Sequence, residues 1–178
     1  SSDLHCFHDK DFVWKVRGYN SCEEHTEGVI QKWNEQVSTN DIVFFLGDFV
    51  FGKDAETNMV KVLERLNFKE IYMIQGNHGS GYRQLKNTHG RQKQIGDKTV
   101  YFSPDYMELN VDGQPIVLCH YPIVSFNGQS HLSWMLQDIA INVAADSSSF
   151  SGAAFAVVPL KDEDLLLSFR SCEELLLA

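Results

Sequence analysis

The sequence predicts an α/β domain, a layered mixed β-sheet core flanked by helices. Three observations predict it. Short continuous apolar runs alternate with segments of helical period. The runs stop at Gly-Asp, Gly-Asn-His or Cys-His rather than continuing. An Asp-Gly pair then joins two further strands as a tight hairpin.

The elements follow in order. Ser21 and Glu24 fit a capping box. Val29, Ile30, Trp33 and Val37 recur behind it at helical spacing and predict a helix over about 22–37. Residues 41–46 read as a strand buried on both faces, closed by Gly47-Asp48. A second helix is expected over 55–66, with Met59, Val60, Leu63 and Leu66 inward. Residues 71–74 form the next buried strand, followed by Gly76-Asn77-His78. Residues 79–98 are polar and Gly-rich, which predicts a loop or a short helix. Strands follow near 99–102, 106–111 and 115–119, the last two meeting across Asp112-Gly113.

The whole chain sets bounds. Its 178 residues suit one domain, and 43% hydrophobic content is enough for a core. No run approaches a membrane span, and no basic leader or apolar stretch precedes Asp3, so neither an anchor nor a secretory signal is expected. Four cysteines include no C-x-x-C pair, which argues against a zinc knuckle and fits a reducing cytoplasm. A net charge of −9 argues against a general polyanion binder. Nucleic acid enters only as a substrate.

Composition changes near residue 137. All three Trp, all six Tyr and thirteen of the fifteen Lys and Arg precede it. The remainder is Ala/Ser-rich, then Leu-rich. Residues 1–136 are therefore expected to form the domain, and 137–178 a divergent and poorly ordered tail. Within that tail, 165–167 and 175–177 are compatible with an amphipathic helix covering the sheet or a partner, and equally with meaningless translation.

Four pieces carry metal-competent side chains: Asp3-Leu4-His5, Gly47-Asp48, Gly76-Asn77-His78 and Cys119-His120. Three of them follow a strand-like run, and open α/β sheets gather ligands beyond the carboxyl ends of their strands. Carboxylates bridge cations, and imidazole and amide oxygen suit Mn, Fe, Zn or Ni better than Ca. Two such ions can clamp both oxygens of an in-line displacement at phosphorus.

This order resembles that of the calcineurin-like metallophosphoesterases, D-x-H, G-D, G-N-H-[D/E], H and G-H-x-H, over residues 1–136. The segments 23–34 and 46–52, with His8 and His120-Tyr121-Pro122, are similar to the small phage and bacterial members. The resemblance implies a metallo-dependent phosphatase-like fold and a hydrolase of phosphate mono- or diesters. In that reading a hydroxide between two divalent ions attacks phosphorus. Asp3 and His5 would hold the first metal, Asp48 would bridge, and Asn77 and His120 would hold the second. His78 would face the substrate as the catalytic residue. His8 and Arg17 would contact phosphate, with a solvated loop role as the alternative for Arg17. His25 is expected to pack.

The sequence departs from the pattern in three places. Gly79 stands where the family has an acid that orients the histidine, and losing such a partner typically costs about 10–100-fold. Only two residues precede Asp3, so the strand before it is expected to be short or missing. G-H-x-H is absent, and Gln137 to Asn142 stand at its expected place. Those six residues are encoded by CAR GAY ATH GCN ATH AAY, and a shifted frame of these codons permits Gly-His-Ser-His. The reading is a frame shift near 137, against a native but divergent tail. Coding DNA that forbids the motif in that frame decides for the second.

Reduced metal occupancy and impaired activity are expected. The competing class is a catalytically silent phosphate- or metal-binding remnant of the same fold. A third is an unrelated α/β domain with scattered histidines.

Overall fold

The computed structural model describes residues 3–111, 114–121 and 166–170. The elements are α1 (Asp11–Trp14), α2 (Cys22–Gln36), β1 (Ile42–Phe45), α3 (Ala55–Arg65), β2 (Glu70–Met73), α4 (Ser80–His89), β3 (Gln92–Ile95), β4 (Lys98–Phe102), β5 (Tyr106–Val111), β6 (Gln114–Cys119) and β7 (Leu166–Arg170). One sheet has the order β1-β2-β4-β3, with β1, β2 and β4 parallel and β3 antiparallel to β4. A second sheet has the order β6-β5-β7, all antiparallel. The mixed α/β architecture is the one the sequence predicts.

Strand periodicity assigns the two faces of the larger sheet. Val43, Phe45, Ile71, Met73, Val100 and Phe102 join the helices in the main core, with Trp33, Met59, Val62, Leu63 and Leu85. Phe44 and Tyr72 face the other way and pack with Ile74, Met107, Leu109, Val111, Ile116 and Leu118. The second sheet thus covers the face that the helices leave. Phe44, Tyr72 and Tyr101 occupy paired positions and stack across three strands, at 5.4 and 4.5 Å between centroids.

Helix α2 starts where its cap predicts. Ser21 Oγ accepts the Glu24 N–H at 3.1 Å, while the Glu24 carboxylate accepts from the Asn20 N–H at 2.8 Å, one residue earlier than in a closed box. Its inner face buries Val29, Ile30 and Trp33, each worth about 1.5–3 kcal/mol. Helix α3 buries Met59, Val62 and Leu63, with Leu66 at its end. Val62 takes the inward place expected of Val60, because 59, 62, 63 and 66 follow the i, i+3, i+4, i+7 face. Lys98 Nζ donates to the carbonyls of Leu63, Glu64 and Leu66 at 2.9–3.2 Å, so a β4 ammonium satisfies the end of α3.

Other expectations need correction. Within residues 79–98 the short-helix alternative holds, as α4, but the segment also contains β3 and begins β4, which were not expected. β1 is only half-buried at Ile42, Val43 and Phe44, since it is an edge strand among the described residues. Residues 166–170 pair with β5 as a strand rather than forming a helix, while 175–177 lie outside the described residues. Asp112-Gly113 and the boundary at 136 lie outside the described residues, although Val111 pairs with Gln114 as a two-residue hairpin requires. Among the described residues no helix is long and apolar enough to cross a membrane.

Candidate metal centre

The site lies beyond the carboxyl ends of β1, β2 and β6. Asp48 follows β1, Asn77 and His78 follow β2, and His120 follows β6. Asp3 and His5 arrive on a segment laid along residues 47–51: Asp3 N–H donates to the Gly47 carbonyl at 2.9 Å, and His5 and Cys6 donate to Asp48 and Phe49 at 3.0 Å. Alternation does the rest. Leu4 and Cys6 are fully buried in the core, while Asp3 and His5 turn toward the site. Burial pushes the Cys6 thiol up to about 12, so it stays protonated and inert.

The backbone of these residues is unusual. Asp3, His5 and Asp48 have φ of 56°, 50° and 60°, as does Phe7 at 59°. A side chain in this left-handed region costs of order 1–2 kcal/mol, and such residues cluster at functional sites. The adjacent glycines are equally constrained. A Cβ at Gly47 would meet Gly76 Cα at 2.7 Å and His120 Nδ1 at 2.8 Å. A Cβ at Gly76 would collide with the Asp48 carboxylate and lie 2.6 Å from its backbone nitrogen. The ends of β1 and β2 therefore touch without side chains between them.

Asp48 is the centre. It is 4% exposed, and its Oδ2 lies 3.7 Å from both His5 Nε2 and His120 Nε2. Its Oδ1 accepts the His78 backbone N–H at 2.9 Å. His5 Nε2 is also 3.6 Å from Asp3 Oδ1. One ligand atom each from Asp3, Asp48 and His120 lies within 4.8 Å of the others. His120 Nδ1 lies 2.8 Å from the Leu46 carbonyl, which only accepts, so Nδ1 carries the proton. In the neutral ring Nε2 then turns its lone pair toward Asp48 and toward Asn77 Oδ1, 2.7 Å away. Lone pairs facing lone pairs repel one another unless a cation shares them. The O/N donor set and the buried bridging carboxylate fit divalent ions of intermediate softness.

A profile of the calcineurin-like phosphoesterase family matches residues 1–143. The chain belongs to the calcineurin-like phosphoesterases. The family's general chemistry is metal-dependent cleavage of phosphate esters, and its members generally bind divalent metals. This calcineurin-like phosphoesterase is also 38% identical over 77 residues to the uncharacterized protein MJ1445 of Methanocaldococcus jannaschii. That match covers 43% of each chain, so the chain spans less than half the length of the curated relative it matches. The crystal structure of a protein of unknown function, AQ665 of Aquifex aeolicus, aligns at 18% identity and a TM-score of 0.47, covering 80% of this chain and 68% of that one.

The remaining expected residues fall in different places. His78 has an exposed ring 5.6 Å from His5 and 5.1 Å from Phe51, at the rim. His8 is buried, stacked on Phe51 at 4.1 Å, with its edge toward His5 at 5.8 Å. Burial and then the neighbouring His5 hold its pKa below the usual histidine value. Arg17 was expected on phosphate or in a solvated loop; its side chain is half-buried. Its guanidinium donates inward to the Asp3 and Leu4 carbonyls at 2.8 and 2.9 Å, and to His25 Nε2 at 2.9 Å. His25 packs as expected, fully buried, with burial and then Arg17 lowering its pKa to about 4.

Sequence reasoning missed three contributors. Phe51 carries the rings of His8 and His78. Thr26 Oγ1 accepts the Phe7 N–H at 3.0 Å. The Leu46 carbonyl sets the His120 tautomer. Phe51 and Leu46 sit in the 46–52 segment, and Thr26 in 23–34, the two stretches that carried the resemblance. At Gly79 a Cβ would lie 2.9 Å from the Gly76 carbonyl oxygen, so the local backbone crowds any side chain there, including the acid that the resemblance leads one to expect.

Proposed function

We propose that the chain hydrolyses phosphate mono- or diesters, with Asp3, His5 and Asp48 holding one divalent ion and Asp48, Asn77 and His120 a second. One observation carries this reading: the buried Asp48 carboxylate stands midway between two imidazoles, 3.7 Å from each. Mn, Fe, Zn or Ni suits these donors. Such ions, when bound, supply Lewis acidity, neutralising phosphoryl charge and making water acidic enough to attack at neutral pH.

The protein groups divide the remaining work. Asp48 is held by the His78 N–H and cannot swing away. Leu46 keeps His120 in the tautomer that offers Nε2. His78 presents an exposed ring that donates a proton or hydrogen bond to the phosphoryl or leaving oxygen. With a net charge of −9 the substrate is captured locally by the ions, and a nucleic acid is accommodated only as a substrate end.

The test uses the full chain stripped with EDTA and titrated with Mn²⁺, with p-nitrophenyl phosphate and its bis-ester as substrates. Hydrolysis rises with metal and stays below that of a member with intact G-H-x-H. A folded protein that takes up no Mn²⁺ contradicts the reading. A second reading, a silent binder, is favoured by Gly79 and by the absence of G-H-x-H. It predicts Mn²⁺ uptake with the same background rate in the protein and in His78→Ala.

A further inference from the structure

We propose that Arg17 is a positioning residue for the first pair of metal ligands, with His25 as its seat. The inference rests on the reading of Asp3 and His5 as ligands. Two peptide planes join the Cα of Asp3 to that of His5, and their carbonyls belong to Asp3 and Leu4. Arg17 donates to both, Nη2 to Asp3 at 2.8 Å and Nη1 to Leu4 at 2.9 Å. From the other side, the His5 N–H of the second plane is bound to Asp48, and the Asp3 N–H, in the plane before the first, is bound to Gly47. The orientation of each plane is thus fixed, and with it the left-handed backbone at 3 and 5 that aims the carboxylate and imidazole.

His25 completes the device. Arg17 has no lone pair, so His25 Nε2 accepts from Nη1 at 2.9 Å and the ring is neutral with its proton on Nδ1. His25 is fully buried on α2, beside Thr26, which holds the Phe7 N–H. Adjacent residues of one helix therefore anchor the ligand loop, one directly and one through Arg17. The task needs a planar fork: three hydrogen bonds leave one guanidinium in fixed directions, which a lysine ammonium on a flexible stem does not reproduce.

Arg17→Met, Arg17→Lys, His25→Phe and His25→Gln are compared with the parent chain by Mn²⁺ titration followed by calorimetry and electron paramagnetic resonance. Melting in EDTA is recorded alongside to separate folding from metal affinity. Arg17→Met is expected to weaken one Mn²⁺ site about 10–100-fold. Arg17→Lys should recover only part of the loss. His25→Phe should weaken binding, and His25→Gln, which still accepts from Nη1, should recover most of it. Parental affinity in a folded Arg17→Met overturns the proposal. If Arg17→Met does not fold, the same comparison is read on Arg17→Lys, where parental affinity overturns it. If the parent chain itself binds no Mn²⁺, the reading of Asp3 and His5 as ligands fails first, and the role of Arg17 falls with it.

Discussion

The Asp48 carboxylate lies 3.7 Å from His120 Nε2, although the two residues end different strands in different sheets. Joining those strand ends is what gives the layered fold a polar floor inside an apolar core. The expected behaviour of variants follows from how few atoms fill that floor.

Asp48→Asn removes the charge shared between His5 and His120 while keeping the shape. Metal uptake and hydrolysis should fall at least 100-fold. The metal-free protein should be no less stable than the parent, because an almost fully buried carboxylate near Asp3 is relieved. Melting with and without Mn²⁺ checks this: the parent gains stability from the ion by mass action and the variant gains none. Equal gains in both would remove Asp48 from the site.

Gly76→Ala adds only a methyl, but that methyl collides with the Asp48 carboxylate and crowds its backbone nitrogen at 2.6 Å. Overpacking of this kind costs about 1–3 kcal/mol. Urea unfolding should show that loss together with loss of Mn²⁺ binding. An alanine variant of normal stability and affinity would mean that the ends of β1 and β2 are less closely apposed than described.

His78→Gln should separate function from folding. The ring is exposed, so urea stability should change by no more than about 0.5 kcal/mol. Loss of a proton donor at the leaving oxygen typically costs about 10²–10⁴-fold in kcat. The loss should be smaller for p-nitrophenyl esters, whose leaving group needs little protonation. Comparing an alkyl with an aryl ester measures it.

The pH dependence of stability has a definite sign. Burial lowers the His25 pKa to about 4 in the folded chain, against about 6.5 when unfolded. The unfolded chain then binds the extra proton between those values. Stability is complete above about pH 6.5 and is lost as pH falls toward about 4, by of order 3 kcal/mol. His8, shifted the same way by burial, adds to the slope. Urea midpoints of the metal-free protein from pH 8 to 4.5 should fall less steeply in His25→Gln. Identical slopes would show that His25 is not the group responsible.

The legible parts of this molecule were those with an unusual residue in a regular place. Asp48, Asn77 and His120 each follow an apolar run, so strand periodicity alone put them at strand ends, and the topology then brought those ends together. The β3 strand was illegible because Gln92 to Ile95 has one apolar residue and lies at a sheet edge, where burial imposes no alternation. Its one signal was Gly96-Asp97, the two residues between the paired Ile95 and Lys98, with Gly96 at φ 63°. Arg17 was misplaced for a different reason. A sequence shows a charge but not the direction of a long side chain, and this one runs inward to the Asp3 and Leu4 carbonyls.

The ammonium of Lys98 closes three carbonyls at the end of α3 and lies 5.2 Å from the Phe68 ring. Acylating that single amine would strip the cap and the cation–π contact at once, without touching any residue of the candidate metal centre. The helical layer therefore has a chemical latch on its far side, and amine-modifying reagents should unlock α3 from β4 before they disturb cation uptake.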